Sequence, residues 1–403
     1  MFTPRVRMYM VGFLFDFAII TAITAQPFYV YNQIGGSAAM SGVYGGIQAV
    51  VYALLSLASS RFVHKTGNGL VWAYTGMLIF AVFVPGMMFF RDPWICGVMG
   101  VVGFGALAIC WPAFYSWVGA DPEPERRQNS LGWFNLAWSS GFAFGPLLAG
   151  PLYDYDHRLP FVFTFVITAA TFLLLWSLPR ERDFFGTGRV EEHAEGLNVD
   201  HVSEHFLHAA WLATLVANMM VGVTRTVFPK RINDLVAEGQ LRLLFEAVPA
   251  DYLTVAAATK FSWLAFLSAF TTALLFFVFG RTTIWRHKLS WLVGLQLAGG
   301  AGFWVLGFTR SLVVMAAAFM LIGSTLGIAF FSSVYYSIAN PALKHRRAAV
   351  NEGMVGLGGF VGGILFGWLA LRYGMNFPFQ WSPLFLLAAV AAQVALVRRN
   401  TAS

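Results

Sequence analysis

The strongest constraint on this chain is a repeated apolar run as long as a bilayer is thick. A helix rises 1.5 Å per residue, so about 20 predominantly apolar residues cross a hydrocarbon core of about 30 Å. Twelve such runs follow one another, over residues 8–31, 39–60, 70–90, 94–118, 130–153, 158–178, 207–229, 257–279, 289–308, 312–338, 350–371 and 380–397. In lipid every backbone N–H and C=O must find its partner inside the protein, so a spanning segment is a helix or part of a closed barrel. Barrel strands would show segments of about ten residues alternating apolar and polar, and the sequence has no such segments. The reading is all-α: a polytopic membrane protein with twelve transmembrane helices, its partner a lipid bilayer.

Charge agrees with lipid as the solvent. Only 11% of the 403 residues are charged, against roughly 25% in a soluble domain. The net charge of +7 does not mark a nucleic-acid binder, because the basic residues sit in short clusters between apolar runs and form no stripe that could track phosphates. Cys96 and Cys110 fall in one run. A helix would hold them about 21 Å apart, too far for a disulfide. Met1–Arg7 is short and basic, like the start of a signal peptide. The apolar run behind it continues past Asp16 to Tyr31 with no small-residue cleavage site, and is read as the first span.

The basic clusters also give an orientation. With twelve spans, seventeen Lys and Arg fall on the side of the N-terminus and eight on the other, with Arg225 inside a span. The excess of positive charge marks the cytoplasmic side, so both termini are expected there, with the protein in the cell (inner) membrane. The polar connection 179–206 then lies in the cytoplasm and separates two six-helix bundles, 1–178 and 207–403. The connection 230–255 faces outside, and its stretch Leu235–Val248 is expected to form a short amphipathic surface helix. The halves echo each other. A shift of 222 residues aligns Asn129 with Asn351, Gly141 with Gly363 and Gly145 with Gly367, and a shift of 220 aligns Arg61 with Arg281. Together these matches predict two pseudo-symmetric bundles from a duplicated six-helix unit, an architecture frequent in transporters.

Within this layout, four local motifs show that the chain resembles the major facilitator superfamily. Between the second and third spans runs Ser60-Arg61-Phe62-Val63-His64-Lys65-Thr66-Gly67-Asn68-Gly69. Phe62, Lys65 and Gly67 match the family pattern, while Ser60 replaces a glycine, His64 an aspartate and Asn68 a basic residue. The stretch from Asp121 through Pro124 and Arg127 to Gly132 is similar to the family's fourth connection. Gly141-Phe-Ala-Phe-Gly145-Pro146, followed by Gly150-Pro151, is similar to a glycine–proline motif of its proton-driven exporters, and Pro179-Arg180-Glu181-Arg182 resembles a further signature. The resemblance implies secondary active transport of a small solute by alternating access, with a solute site between two rocking bundles and protons as the coupling ion. It also implies that helices 1, 4, 7 and 10 line the pathway. These carry Gln26, Trp111, Tyr115, Asn218, Tyr335 and Tyr336. Such rings with one polar atom suit small organic solutes, and they equally suit interfacial belts.

Ionisable groups inside spans are costly unless paired or watered, and so are functional candidates. Asp16, about two turns into the first span, either carries a coupling proton or pairs with Arg5, Arg7 or a nearby loop. Arg225, four residues before Pro229, either forks onto an anionic solute or snorkels to the surface beside Lys230 and Arg231. Glu352 follows Lys344, Arg346 and Arg347. It either pairs across a cytoplasmic gate with Arg61, His64 or Lys65, or simply favours the positive end of its helix. With Gly141, Gly145 and Pro146 these make up the gating candidates. Gly42/Gly46, Gly323/Gly327 and Gly359/Gly363/Gly367 are read as sites of close helix approach.

Other chemistry finds little support. His201-Val-Ser-Glu204-His205, with His208 one turn on, matches a zinc-protease pattern, but it opens a membrane helix with no catalytic domain around it. There is no phosphate-binding loop, hence no expectation of an ATP-driven pump, and no metal, other cofactor or enzyme activity is expected. The expected partners are a solute and H+, acting on a monomer. The other reading kept open is a transporter-like receptor or assembly factor that binds without flux.

Overall fold

The computed structural model describes residues 2–65, 69–121, 123–180, 184, 201–244, 256–338 and 344–399. The described chain is helical, with one isolated bridge between Arg242 and Ser311. Seven helices come before the long polar connection: α1 Pro4–Asn32, α2 Ala38–Lys65, α3 Gly69–Gly86, α4 Pro93–Gly105, α5 Leu107–Gly119, α6 Pro124–Tyr155 and α7 Leu159–Trp176. After it come α8 His201–Thr226, α9 Phe228–Ala237, α10 Ala257–Arg281, α11 Leu289–Leu306, α12 Leu312–Ile338 and α13 Lys344–Phe360. A π turn, Val361–Leu365, carries α13 into α14 Phe366–Tyr373, followed by α15 Phe377–Trp381 and α16 Pro383–Arg399. Among the described residues, eleven helical stretches are long and apolar enough to cross a membrane. The twelfth expected span, 130–153, lies inside the 32 residues of α6. That helix is long enough, but Asn135, Ser139 and Ser140 make 130–153 the least apolar of the twelve expected spans.

Local sequence explains where helices start and break. Pro93, Pro160 and Pro229 stand in first turns, where a missing N–H costs nothing, and the Asp92 carboxylate caps α4 by accepting from Ile95 N at 2.9 Å. The run 94–118, read as one span, is two helices meeting at Ala106. Within α5, Pro112 cannot donate to the carbonyl four residues back, at Ala108. The Ser59 hydroxyl donates to that carbonyl instead, at 2.8 Å, so α2 supplies the bond that α5 cannot.

The connection expected at 230–255 departs from expectation. The amphipathic helix forms at Phe228–Ala237 rather than at Leu235–Val248, of which 245–248 lie outside the described residues. Lys230 and Asp234 pair one turn apart, and Gly239, at φ +63°, ends the helix. Gln240 N then donates to Leu235 O at 2.9 Å and Gly239 N to Val236 O at 3.1 Å, a paired termination that favours glycine at the left-handed position. The next strand-like residues bond to the α11–α12 turn, with Arg242 N on Arg310 O and Leu312 N on Arg242 O, both at 2.9 Å.

By packing, the chain divides into two units: Met1–Tyr29 with Val51–His193, and Val30–Val50 with Ala194–Ser403. Unit 1 is centred on Phe15, Phe80, Phe114, Trp117 and Phe134. Unit 2 has a core of Phe206, Ala210, Phe279, Trp285, Ile328 and Tyr336. A glycine seam holds residues 38–50 in unit 2. A Cβ on Gly42 would overlap the Gly363 carbonyl, and one on Gly363 would lie 2.8 Å from the Gly42 carbonyl. Without hydrophobic drive between helices in lipid, such backbone approach is a main source of association. The Tyr31 hydroxyl, donating to the Thr226 carbonyl, adds a bond from the end of α1.

Candidate functional site

In unit 1 the polar candidates lie on α1, α5 and α6. Asp16 is 6% exposed. One turn before it, a Cβ on Gly12 would sit 2.7 Å from the Phe134 ring, and one turn after it Ile20 packs on Gly145. Helical spacing therefore puts Asp16 on the side of α1 that meets α6. A Cβ on Gly141 would overlap the Phe13 carbonyl, so Gly141 and Gly145 set the α1–α6 distance, and Pro146 follows directly. Gln26 is buried further along α1, and its amide nitrogen has no hydrogen-bond partner among the described residues.

Beside Asp16, Phe15 opens onto an aromatic group. Its ring centroid lies 6.3 Å from that of Trp111, and Trp111 lies 6.0 Å from Trp138. Tyr115 packs edge-on against Phe134 at 5.4 Å. Asn135 joins these rings: its Oδ1 accepts from the Tyr115 hydroxyl at 3.2 Å and from Trp138 Nε1 at 2.9 Å. Asn135 and Trp138 were not among the sequence candidates. An amide in an otherwise uncharged span was the available signal, and the low apolarity of α6 muted it.

At the end of unit 1 carrying the N-terminus, Arg5 pairs with the buried Asp121. Arg7 donates to the Ser177 carbonyl and hydroxyl at 2.6 and 2.9 Å. The Phe184 ring stacks on Trp117 at 5.7 Å. Arg61, His64 and Lys65 end α2, and their side chains lie outside the described residues.

In unit 2 the candidates divide between packing and accessible positions. Tyr336 is a core residue: its hydroxyl accepts from His287 N at 2.9 Å and its ring lies 6.1 Å from Trp285. Tyr335 lies half-buried, 5.1 Å from Trp285, with the Arg286 guanidinium 4.8 Å from its ring centre. Asn218 donates back to Thr214 O at 2.9 Å, and its Cβ faces Gly358. Arg225 is half-buried in the last turn of α8. Glu352 is half-buried in α13, next to Asn351, whose side-chain oxygen accepts from the Ser333 hydroxyl. Glu204 of the zinc-like motif is paired with Arg347, and among the described residues no cluster could hold a metal.

Arg231 is the residue that sequence reading placed wrongly. It was counted as an outer-loop charge, yet it is 4% exposed. The start of α9 at Phe228 puts it on the face shared with Ile232 and Leu235. There Nε donates to Asn376 Oδ1 at 2.7 Å and Nη2 to the Thr309 carbonyl at 2.9 Å.

Eleven helical stretches of bilayer length among the described residues define an integral multi-pass membrane protein. The chain belongs to the major facilitator superfamily, whose family profile matches residues 8–231. A point mutant of the nucleoside transporter NupG superposes with a TM-score of 0.77 at 11% identity, over 98% of this chain and 100% of that one. A bacterial homolog to the human lysosomal transporter Spinster, inward-facing and occupied, superposes with a TM-score of 0.75 at 15% identity, over 99% and 98%. At these identities the superpositions speak for the fold. A comparison with curated proteins finds no match. The protein is accordingly a secondary transporter of a small solute and not an enzyme.

Proposed function

We propose that solute movement is coupled to protons by alternating access, with Asp16 as the proton-carrying group. The observation that carries this reading is a carboxyl 6% exposed inside the first span, since an ionisable group at that depth is retained at a cost and is functional by default. Both termini are cytoplasmic in this reading, supported by seventeen Lys and Arg against eight across the expected connections. Arg225 and Glu352 serve the pathway and its gate.

The test starts by finding a solute that raises the melting temperature of the purified protein, because a ligand stabilises the state it binds. That solute is then added to proteoliposomes loaded with a pH-sensitive dye. Proton movement should accompany solute flux in the wild type. Asp16→Asn should lose the proton signal at least tenfold while still exchanging labelled solute. Equal flux with and without a proton gradient, unaffected by Asp16→Asn, would identify facilitated diffusion. Stabilisation without any flux would favour a receptor.

A further inference from the structure

We infer that the Tyr115–Asn135–Trp138 group is a solute-binding site for an uncharged, planar heteroaromatic molecule bearing a hydrogen-bond acceptor. The inference deepens the transporter reading and rests on it.

Its basis is the forced orientation of one amide. An indole N–H is only ever a donor, so the Asn135 atom 2.9 Å from Trp138 Nε1 must be the oxygen. The Tyr115 hydroxyl, 3.2 Å from the same atom, then acts as donor as well. With both bonds on Oδ1, the Asn135 NH2 is turned away from them, and the residue is exposed. It presents two donors held at a fixed angle by two aromatic side chains. Such a fixed donor pair discriminates more sharply than a mobile one, because little freedom is lost on binding.

The surroundings specify the rest of the ligand. Tyr115 is 38% exposed, and Trp111 and Trp138 are half-buried with their rings 6.0 Å apart. Flat, partly open rings beside a polar anchor favour a flat ring in return. No Lys or Arg occurs in α5, in residues 8–32 of α1, or in residues 128–155 of α6. Among the described residues of these three stretches a carboxylate or phosphate would therefore find no counter-charge. A carbonyl or ring nitrogen accepts from the amide without one.

The experiment measures equilibrium binding of tritiated uracil and tritiated nicotinamide to the purified full-length protein, with labelled glucose and benzoate as non-planar and anionic controls. At least one heteroaromatic probe should bind, and neither control should. Asn135→Asp is the decisive variant: a carboxylate of the same size still accepts from Tyr115 and Trp138 but has no NH2 to offer. It should keep the wild-type melting temperature and lose at least tenfold in affinity. Trp138→Phe, which keeps a ring but releases the amide, should lose affinity as well. Full affinity in Asn135→Asp, or no binding by either probe, overturns the inference. Should Asn135→Asp fold poorly, the Trp138→Phe affinity decides alone, and an unchanged value overturns it. Binding of a probe without its flux in proteoliposomes would sink the transport reading and leave the site standing. Flux of glucose or benzoate with no probe binding would do the reverse.

Discussion

Gln296 and Gln393 are fully buried, and each amide nitrogen donates to the other's oxygen, at 2.9 and 3.1 Å. No water competes at that depth, so the reciprocal pair joins α11 to α16 as polar glue. Removing Gln393 strands the Gln296 side-chain oxygen, at about 1–3 kcal/mol, while the Gln296 amide nitrogen keeps its bond to Leu292 O at 3.0 Å. Gln393→Leu is therefore expected to lower the melting temperature, whereas the double variant Gln296→Leu/Gln393→Leu should recover most of the loss. A double variant as unstable as the two singles summed would show that the pair has no net coupling. Ser59 acts by similar logic. Ser59→Ala leaves the Ala108 carbonyl without its donor and is expected to destabilise by about 1 kcal/mol, measurable by thermal unfolding in detergent.

At the scale of elements, close approach and termination dominate. The α2 contact with the π turn depends on hydrogen atoms where other residues carry Cβ. Gly363→Ala would press on the Gly42 carbonyl at 2.8 Å and Gly42→Ala would overlap that of Gly363, so the helices must separate. The expected cost of such overpacking is about 1–3 kcal/mol, larger for Gly42. Gly353, whose Cβ would meet nothing within 4 Å, serves as the control: Gly353→Ala should be neutral or mildly stabilising. Gly239 is another glycine with a backbone reason. Gly239→Ala should cost about 1 kcal/mol for the left-handed conformation, with Gly239→Asn milder. Equal melting temperatures for both variants would contradict that account of how α9 ends.

Much of this was legible in order along the chain, and some was not. The spans, the duplicated glycines and the polar connection are properties of consecutive residues. The split of the fourth span at Ala106 was hidden because both pieces are apolar. The surface helix was misplaced because Leu235–Val248 has the right composition, while the start signal at Pro229 and the stop signal at Gly239 bracket an earlier segment. Arg231 followed the same error, since a residue counted as loop was a buried helical one.

Across the whole molecule, each unit closes the same pair of elements with an ion pair, and the signs are reversed. In unit 1, Arg5 at the start of α1 meets Asp121 just before α6. In unit 2, Glu204 at the start of α8 meets Arg347 at the start of α13. Asp121→Asn or Glu204→Gln alone should destabilise its own unit, by about 3 kcal/mol where the abandoned partner is well buried. The exchange Arg5→Asp/Asp121→Arg should restore much of the stability by placing each sign where the other was. Size-exclusion profiles after heating would read both outcomes, and an exchange no better than the singles would argue against a pairwise clasp.

The sequence by itself determined the solvent, the number of crossings and the twofold repeat. Each depends on how many apolar residues stand in a row and how far apart similar residues recur, and those quantities survive without any folded coordinate. Only tertiary structure decided which polar atoms meet: Asn135 with Tyr115 and Trp138, Arg231 with Thr309 and Asn376, Gln296 with Gln393. Their partners lie up to 145 positions away in the chain. Inside lipid a lone polar group must find a partner, and the rotation and tilt of packed helices, which no periodic pattern records, choose which one.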